Sequence, residues 1–363
     1  MNDVQQPDKS AWIPGTLGTD PQLGELLTFT RRHPDGSQVT LSTLGARILS
    51  IQVPDRSGRV EEVTQTFDHL EDWLGAGCYH GAVCGRYANR IGGAAFALNG
   101  RHYKLPANER GNTLHGGVTG FHRKNWTAQV QGEDLIFRYS SPDGEEGFPG
   151  RLDCEVRYRF DADHTLTLDY RMQSDRDTVA SLTNHVFFNI GGPEVTTVSA
   201  QELQIAADFI TEVDAQLLPT GAILPVAGTP FDFTAPKLIG RDIEAEDRQL
   251  EYGGGYDHNF VLRQTERGAL TEAACVYDPA SGRELICRTT LPGLQIYTTN
   301  SPIPVAGAGG RRYGRFSGIC LETQLFPDSP NRTWFPSPLL RAGEVQTSTT
   351  VYAFGVRSQG DNT

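Results

Sequence analysis

The sequence predicts an all-β fold of two large packed sheets, and three observations carry that prediction. Short runs alternate apolar with polar residues, which places side chains on two faces of a sheet. Turn signals rich in Gly, Asn and Asp separate those runs, because these residues tolerate the dihedrals of tight turns. The 40 Gly and 21 Pro are spread along all 363 residues, so long helices have little room.

Residues 1–24 are polar and contain Pro and Gly, and they read as an N-terminal extension outside the core. From residue 25 the alternating runs begin with "LTFTR", "QVTLSTLG" and "ARILSIQVP", and continue through "LIFRYSS", "LDCEVRYRF" and "TLTLDYRMQ" to "ACVYDP" and "STTVYAFG". "HPDGSQ", "PDRSGR", "LNGRHY", "SPDGEEG", "FDADHT" and "DPASGRE" are the hairpin and short-loop segments. Two short helices are expected, around "HLEDWLGAG" and "KLIGRDIEAE". No repeat, low-complexity tract or βαβ rhythm is present, and no linker interrupts the strands, so residues 25–358 read as a single domain.

Composition excludes several functions. Hydrophobic residues make up 38% and include 17 Phe and 12 Tyr, enough for a large core. A formal charge of −12 without any Lys/Arg-rich run argues against a nucleic-acid surface. The six cysteines form no CxxC pair and read as reduced, buried thiols. The N-terminus lacks the basic start and apolar stretch of a signal peptide, and no apolar run reaches the roughly 18 residues of a membrane span. A cytoplasmic monomer without membrane or nucleic-acid partners is the expectation.

The polar residues that do not suit a core strand are the informative ones. In "SLTNHVFFNIGG", strand phase puts Leu182, Val186, Phe188 and Ile190 on one face and Thr183, His185, Phe187 and Asn189 on the other. A polar face with one aromatic ring suits a carbohydrate, whose hydroxyls need directed hydrogen bonds while its C–H face packs on a ring. The plainer reading is a core histidine held by a backbone carbonyl. In "SGICLETQLFPDSPN", Cys320, Glu322, Gln324 and Phe326 share a face. A carboxylate flanked by Leu321 and Thr323 is costly to bury unless it is hydrogen-bonded or catalytic; a solvated sheet face is the alternative.

Three weaker stretches have the same character. "CGRYANRIGG" presents Arg86, Asn89 and Arg90, "NTLHGG" puts His115 before two glycines, and "GGGYDHNFVL" sets Asp257, His258 and Asn259 at a strand mouth. Each alone reads equally as an ion pair, a turn residue or a loop cap. No HxH, HExxH, EF-hand, GxSxG or P-loop pattern occurs, so neither a metal nor a cofactor is expected.

Taken in order, "GRYANRI", "NTLHGG", "TNHVFFNIGG", "GTPFDF", "GGYDHNFVL", "LPGLQIYTTN" and "CLETQLFPDSPN" resemble the aldose 1-epimerases (mutarotases) over roughly residues 26–355. The resemblance implies a large antiparallel β-sandwich, the galactose mutarotase-like supersandwich, with a few short helices and the sugar in an open cleft on one sheet. It makes Glu322 the general base, His185 the general acid and His115 a second active-site histidine. It places Asn89, Arg90, Asp257 and Gln295 at sugar-binding or site-organising positions. Phe187 stands where many members carry Tyr, His122 where Asp is common, and Leu325 where His is frequent.

Interconverting anomers requires a base at the C1 hydroxyl and an acid at the ring oxygen, with the roles reversed on closure and no redox step. Arg90 is expected to orient Glu322 or a sugar hydroxyl. Rival readings are a hexose-phosphate epimerase using Arg311, Arg312 and Arg315, a non-catalytic sugar sensor, and a glycoside hydrolase using Asp257 and Glu322.

Overall fold

A computed structural model describes residues 11–75 and 78–358. Its strands assemble into three main sheets, and every ladder between named strands is antiparallel. The largest sheet has nine strands. Its middle pairs Leu152–Phe160 with Thr165–Ser174, then Val345–Val356, then Arg283–Thr289. Alternation is strict in Leu152–Phe160, where Leu152, Cys154, Val156, Tyr158 and Phe160 are buried and join the main core.

A second sheet of five strands carries the residues of interest. Across it lie Pro219–Pro225, Ala207–Val213, Asp257–Leu262, Gly293–Tyr297 and Cys320–Gln324, in that order. Phe260, Leu262, Leu294, Ile296 and Leu321 point into the core. Period-two geometry therefore sends Asp257, Asn259, Gln295, Cys320 and Glu322 to the opposite face. The two large sheets packing through a shared apolar layer make the predicted β-sandwich.

The third sheet, of five strands, runs in chain order from Ile13–Asp20 to Val60–Glu62. It corrects the reading of the N-terminal arm. Residues 1–10 lie outside the described residues, but Ile13–Asp20 pairs with Gly24–Arg32, and Trp12 is buried with its indole N–H donating to the Glu133 carbonyl. This is an edge strand that exposes most of its side chains, so it carries no apolar alternation to read.

The helices also differ from expectation. Leu70–Leu74 forms within "HLEDWLGAG", but "KLIGRDIEAE" supplies only a 3₁₀ turn at Ile239–Arg241. The second α-helix is Arg248–Gly253, started by Asp247, whose side chain accepts the backbone N–H of Gln249 and Leu250.

The 182–190 run is not a continuous strand. Only Thr183–Asn184 pairs as one, with Val83–Cys84. Beyond it the backbone is stitched between neighbours: Gln65 N–H donates to the Phe187 carbonyl, and Phe188 exchanges two hydrogen bonds with Ile319. Even so, the expected phase survives, since Leu182, Val186, Phe188 and Ile190 all join the core.

Candidate active site

Strand register builds the floor of the site. Asn259 pairs with Gln295, and Gln295 with Glu322, so three polar side chains stand in a row across three strands. The adjacent row is Asp257, Tyr297 and Cys320. A cavity of about 350 Å³ opens above, lined by Asn89, Arg90, His115, His185, Asp257 and Glu322 together with Leu217, Tyr252, Asn300 and Pro302.

At its base, His185 Nε2 lies 3.5 Å from Glu322 Oε1, with 7% and 2% of the two side chains accessible. The other carboxylate oxygen, Oε2, has no protein partner. Burial pushes His185 down to about 4 and pushes Glu322 well above the ordinary carboxylate range, with the neighbouring Asp257 adding to the latter and Arg90 opposing it. Both shifts have one cause: a desolvated site resists isolated charge. At 3.5 Å the two groups are close enough for their titrations to be coupled.

His115 sits on the opposite wall, its ring 5.2 Å from that of His185. The backbone N–H of Asn89 donates to His115 Nδ1, at 3.1 Å. That bond fixes the neutral ring with its hydrogen on Nε2. Burial and the charges of His185 and Arg90 hold it well below the usual histidine range, so it is a neutral donor. The glycine after it is required: at Gly116, with φ +85°, a Cβ would lie 1.8 Å from the Gly85 carbonyl oxygen.

Asn89 organises this wall. Its backbone has φ 64°, and its side-chain oxygen accepts the Arg90 N–H. Arg90 does not pair with Glu322 as expected; it bonds Glu109 at 3.3 Å and approaches Asp257 at 3.8 Å. Its charge still favours the ionised form of Glu322 from a distance. Gln295 donates from Nε2 to Asp257 Oδ1 at 2.6 Å, while its buried Oε1 has no partner. Six of the seven residues predicted for the site line one cavity, and the seventh, Gln295, is joined to it through Asp257.

Other residues singled out go elsewhere. Arg86 is buried among the carbonyls of Ser141, Pro142 and Pro149, and His258 turns into the core against Phe231. Arg315 pairs with Glu244, and neither Arg311, Arg312 nor Arg315 lines the cavity. Tyr79 was not read from the sequence, and neither were the contacts that Phe187 and Cys320 make with His185. Tyr79 packs on His115, His122 and His185, Phe187 stacks between His80 and His185, and Cys320 Sγ lies 3.5 Å from His185 Nδ1. Side-chain partners of this kind carry no spacing signal.

His115, His185 and Glu322 offer ligand atoms within 4.8 Å of one another, a set that by residue type suits zinc. The tautomer of His115 opposes that use. Its Nδ1 lone pair already accepts a backbone hydrogen bond, and its Nε2 then carries the proton.

Solved structures share this architecture. The GalM/aldose epimerase homologue from C. elegans superposes with a TM-score of 0.83 at 25% identity, over 95% of this chain and 100% of that one. Galactose 1-epimerase from Lactobacillus acidophilus NCFM gives 0.82 at 25%, over 96% and 100%. Fold and site together define a sugar isomerase of the galactose mutarotase-like β-sandwich class.

Sequence relationships then fix the family. The aldose 1-epimerase profile matches residues 28–353. Galactose mutarotase from Mus musculus is 42% identical over 94% of this chain and 97% of its own, and aldose 1-epimerase from Escherichia coli K12 is 36% identical over 93% and 97%. The chain belongs to the aldose 1-epimerase family.

Proposed function

We propose that this protein interconverts the α and β anomers of a free aldose of the galactose or glucose type, with Glu322 as base and His185 as acid. The observation that carries the assignment is the buried pair at 3.5 Å on the floor of a polar cavity.

With one proton shared, the working form is Glu322 carboxylate beside His185 imidazolium. Glu322 removes the C1 hydroxyl proton while His185 Nε2 protonates the ring oxygen, and the C1–O5 bond breaks to give the open aldehyde. The pair still holds one proton, now on Glu322. Rotation about C1–C2 presents the other carbonyl face. Closure returns the ring-oxygen proton to Nε2 and the Glu322 proton to O1, so the enzyme ends as it began.

Ring-oxygen charge develops near His115, whose fixed Nε2–H is placed to donate to it. Asp257, Gln295, Asn89 and Arg90 hold the remaining hydroxyls, leaving the C1 end free to turn. Gln295 Oε1 and Glu322 Oε2, both buried and unpartnered, are acceptors for sugar hydroxyls.

A phosphorylated substrate is disfavoured, because the cavity's two arginines, Arg90 and Arg110, both engage Glu109. Among the described residues no helix is long and apolar enough to cross a membrane. A cytoplasmic monomer is the setting proposed for this activity. Polarimetry of α-D-galactose and α-D-glucose, corrected for the spontaneous rate, is the test. Acceleration is expected; binding without acceleration would instead indicate a sugar sensor.

A further inference from the structure

The two histidines facing each other across the cavity differ in what surrounds Nδ1. At His115 it is a donor, the Asn89 N–H. At His185 it is a sulfur, Cys320 Sγ at 3.5 Å. Nε2 lies on the far side of the ring against Glu322, so Nδ1 is the nitrogen that the sulfur faces.

Cys320 is fully buried two residues before Glu322 on the same sheet face. Burial and the charge of Glu322 push its thiol far above the usual range, so it remains S–H with lone pairs available to the imidazole.

We propose that Cys320 is a positioning residue whose sulfur accepts the Nδ1–H of His185, so that Nε2 is the only nitrogen exchanging a proton with the sugar. The proposal rests on the reading of His185 as the acid. An acid that gives its proton from Nε2 becomes the Nδ1–H tautomer, and only this tautomer can take the same proton back on closure. The opposite neutral form, with Nε2–H, would stall the cycle. The histidines are thus locked in opposite tautomers, His115 as a permanent donor and His185 as an exchanger.

Several other titratable or charged groups surround the His185 ring. Glu322 stands at Nε2, His115 and Tyr79 have ring centres at 5.2 and 5.7 Å, and Tyr297 lies at 6.4 Å. Arg47 disfavours its protonation, and His80 and His122 feel its charge. None of these faces Nδ1 within hydrogen-bonding distance.

The test begins without sugar. Long-range ¹H–¹⁵N spectra of labelled protein at neutral pH, with His185 assigned from the His185→Asn variant, report which nitrogen carries hydrogen. His185 is expected to carry hydrogen at Nδ1, whether neutral or as the imidazolium that also holds the shared proton on Nε2, and His115 at Nε2; a His185 with hydrogen on Nε2 alone overturns the proposal. Absence of mutarotation would sink the function instead, a separate readout.

Cys320→Ala is then expected to lower kcat about three- to tenfold with KM unchanged, the range that losing one hydrogen bond allows. Its His185 should populate both tautomers. Cys320→Ser, whose hydroxyl also accepts, should restore the single tautomer and most of the rate. A folded alanine variant with wild-type kcat, pH profile and spectrum refutes the role. Should alanine prevent folding, the wild-type spectrum decides alone.

Discussion

His185 and Glu322 touch at 3.5 Å, yet they come from segments with unlike support. Glu322 stands on a regular strand; His185 sits in an irregular run held by Ala82, Gly81 and Ile319. Their spacing is set by packing of the run against the strand, and the first prediction concerns that pair.

Glu322→Gln or His185→Asn should each lower kcat at least about 10²-fold, the usual contribution of one acid or base. Thermal unfolding of Glu322→Gln should match or exceed wild type, because the substitution removes a buried carboxylate that burial disfavours. Mutarotation rates beside melting curves check both halves.

The pH–rate profile should be bell-shaped, as the pair works only with one proton. Activity falls below about 4, where His185 is charged while Glu322 is also protonated. It falls again on the alkaline side, above the raised value of Glu322, when the last proton leaves. A profile of kcat/KM against pH reads both limbs, whose midpoints belong to the pair.

Histidine burial should appear in stability. His258 is buried neutral, pushed down to about 3 by desolvation first and Arg90 second. Between about 6.5 and that value the unfolded chain binds the extra proton, so stability is present above about 6.5 and lost as pH falls. Wild type should lose stability relative to His258→Gln by up to about 1.4 kcal/mol per pH unit in that window. Urea unfolding at pH 7, 5.5 and 4 measures the difference.

Gly116→Ala should destabilise the protein by more than about 1 kcal/mol, because its Cβ meets the Gly85 carbonyl at 1.8 Å and its φ is +85°. The shift displaces His115, so kcat should fall too. An alanine variant with native stability and rate would show that the loop yields at no cost.

Much of this was legible in the sequence, for reasons that differ by element. Glu322 stood out because a carboxylate in an apolar strand is costly, and its strand formed where alternation placed it. His185 was found by phase although the strand assumed for it is mostly absent, since the apolar partners of that phase still reach the core.

Arg90 lines the cavity, but its bond to Glu109 was not anticipated, because Glu109 lies in a loop whose path no periodicity encodes. The Ile13–Asp20 edge strand was missed because exposure on most of its positions makes it look like a tail. Tyr79 and Cys320 were silent because their importance lies in ring and sulfur contacts across the fold.

The row from Asn259 through Gln295 to Glu322 has an engineering consequence. Asp257 and Gln295, proposed to face sugar hydroxyls, occupy interior strands, while Glu322, the proposed base, occupies the outermost one. The acid, for its part, hangs on a separate run. On the proposed roles, selectivity and turnover sit on different pieces of backbone. A library confined to the 252–257 and 300–302 segments redesigns which sugar is preferred while the reaction's moving parts stay as they are.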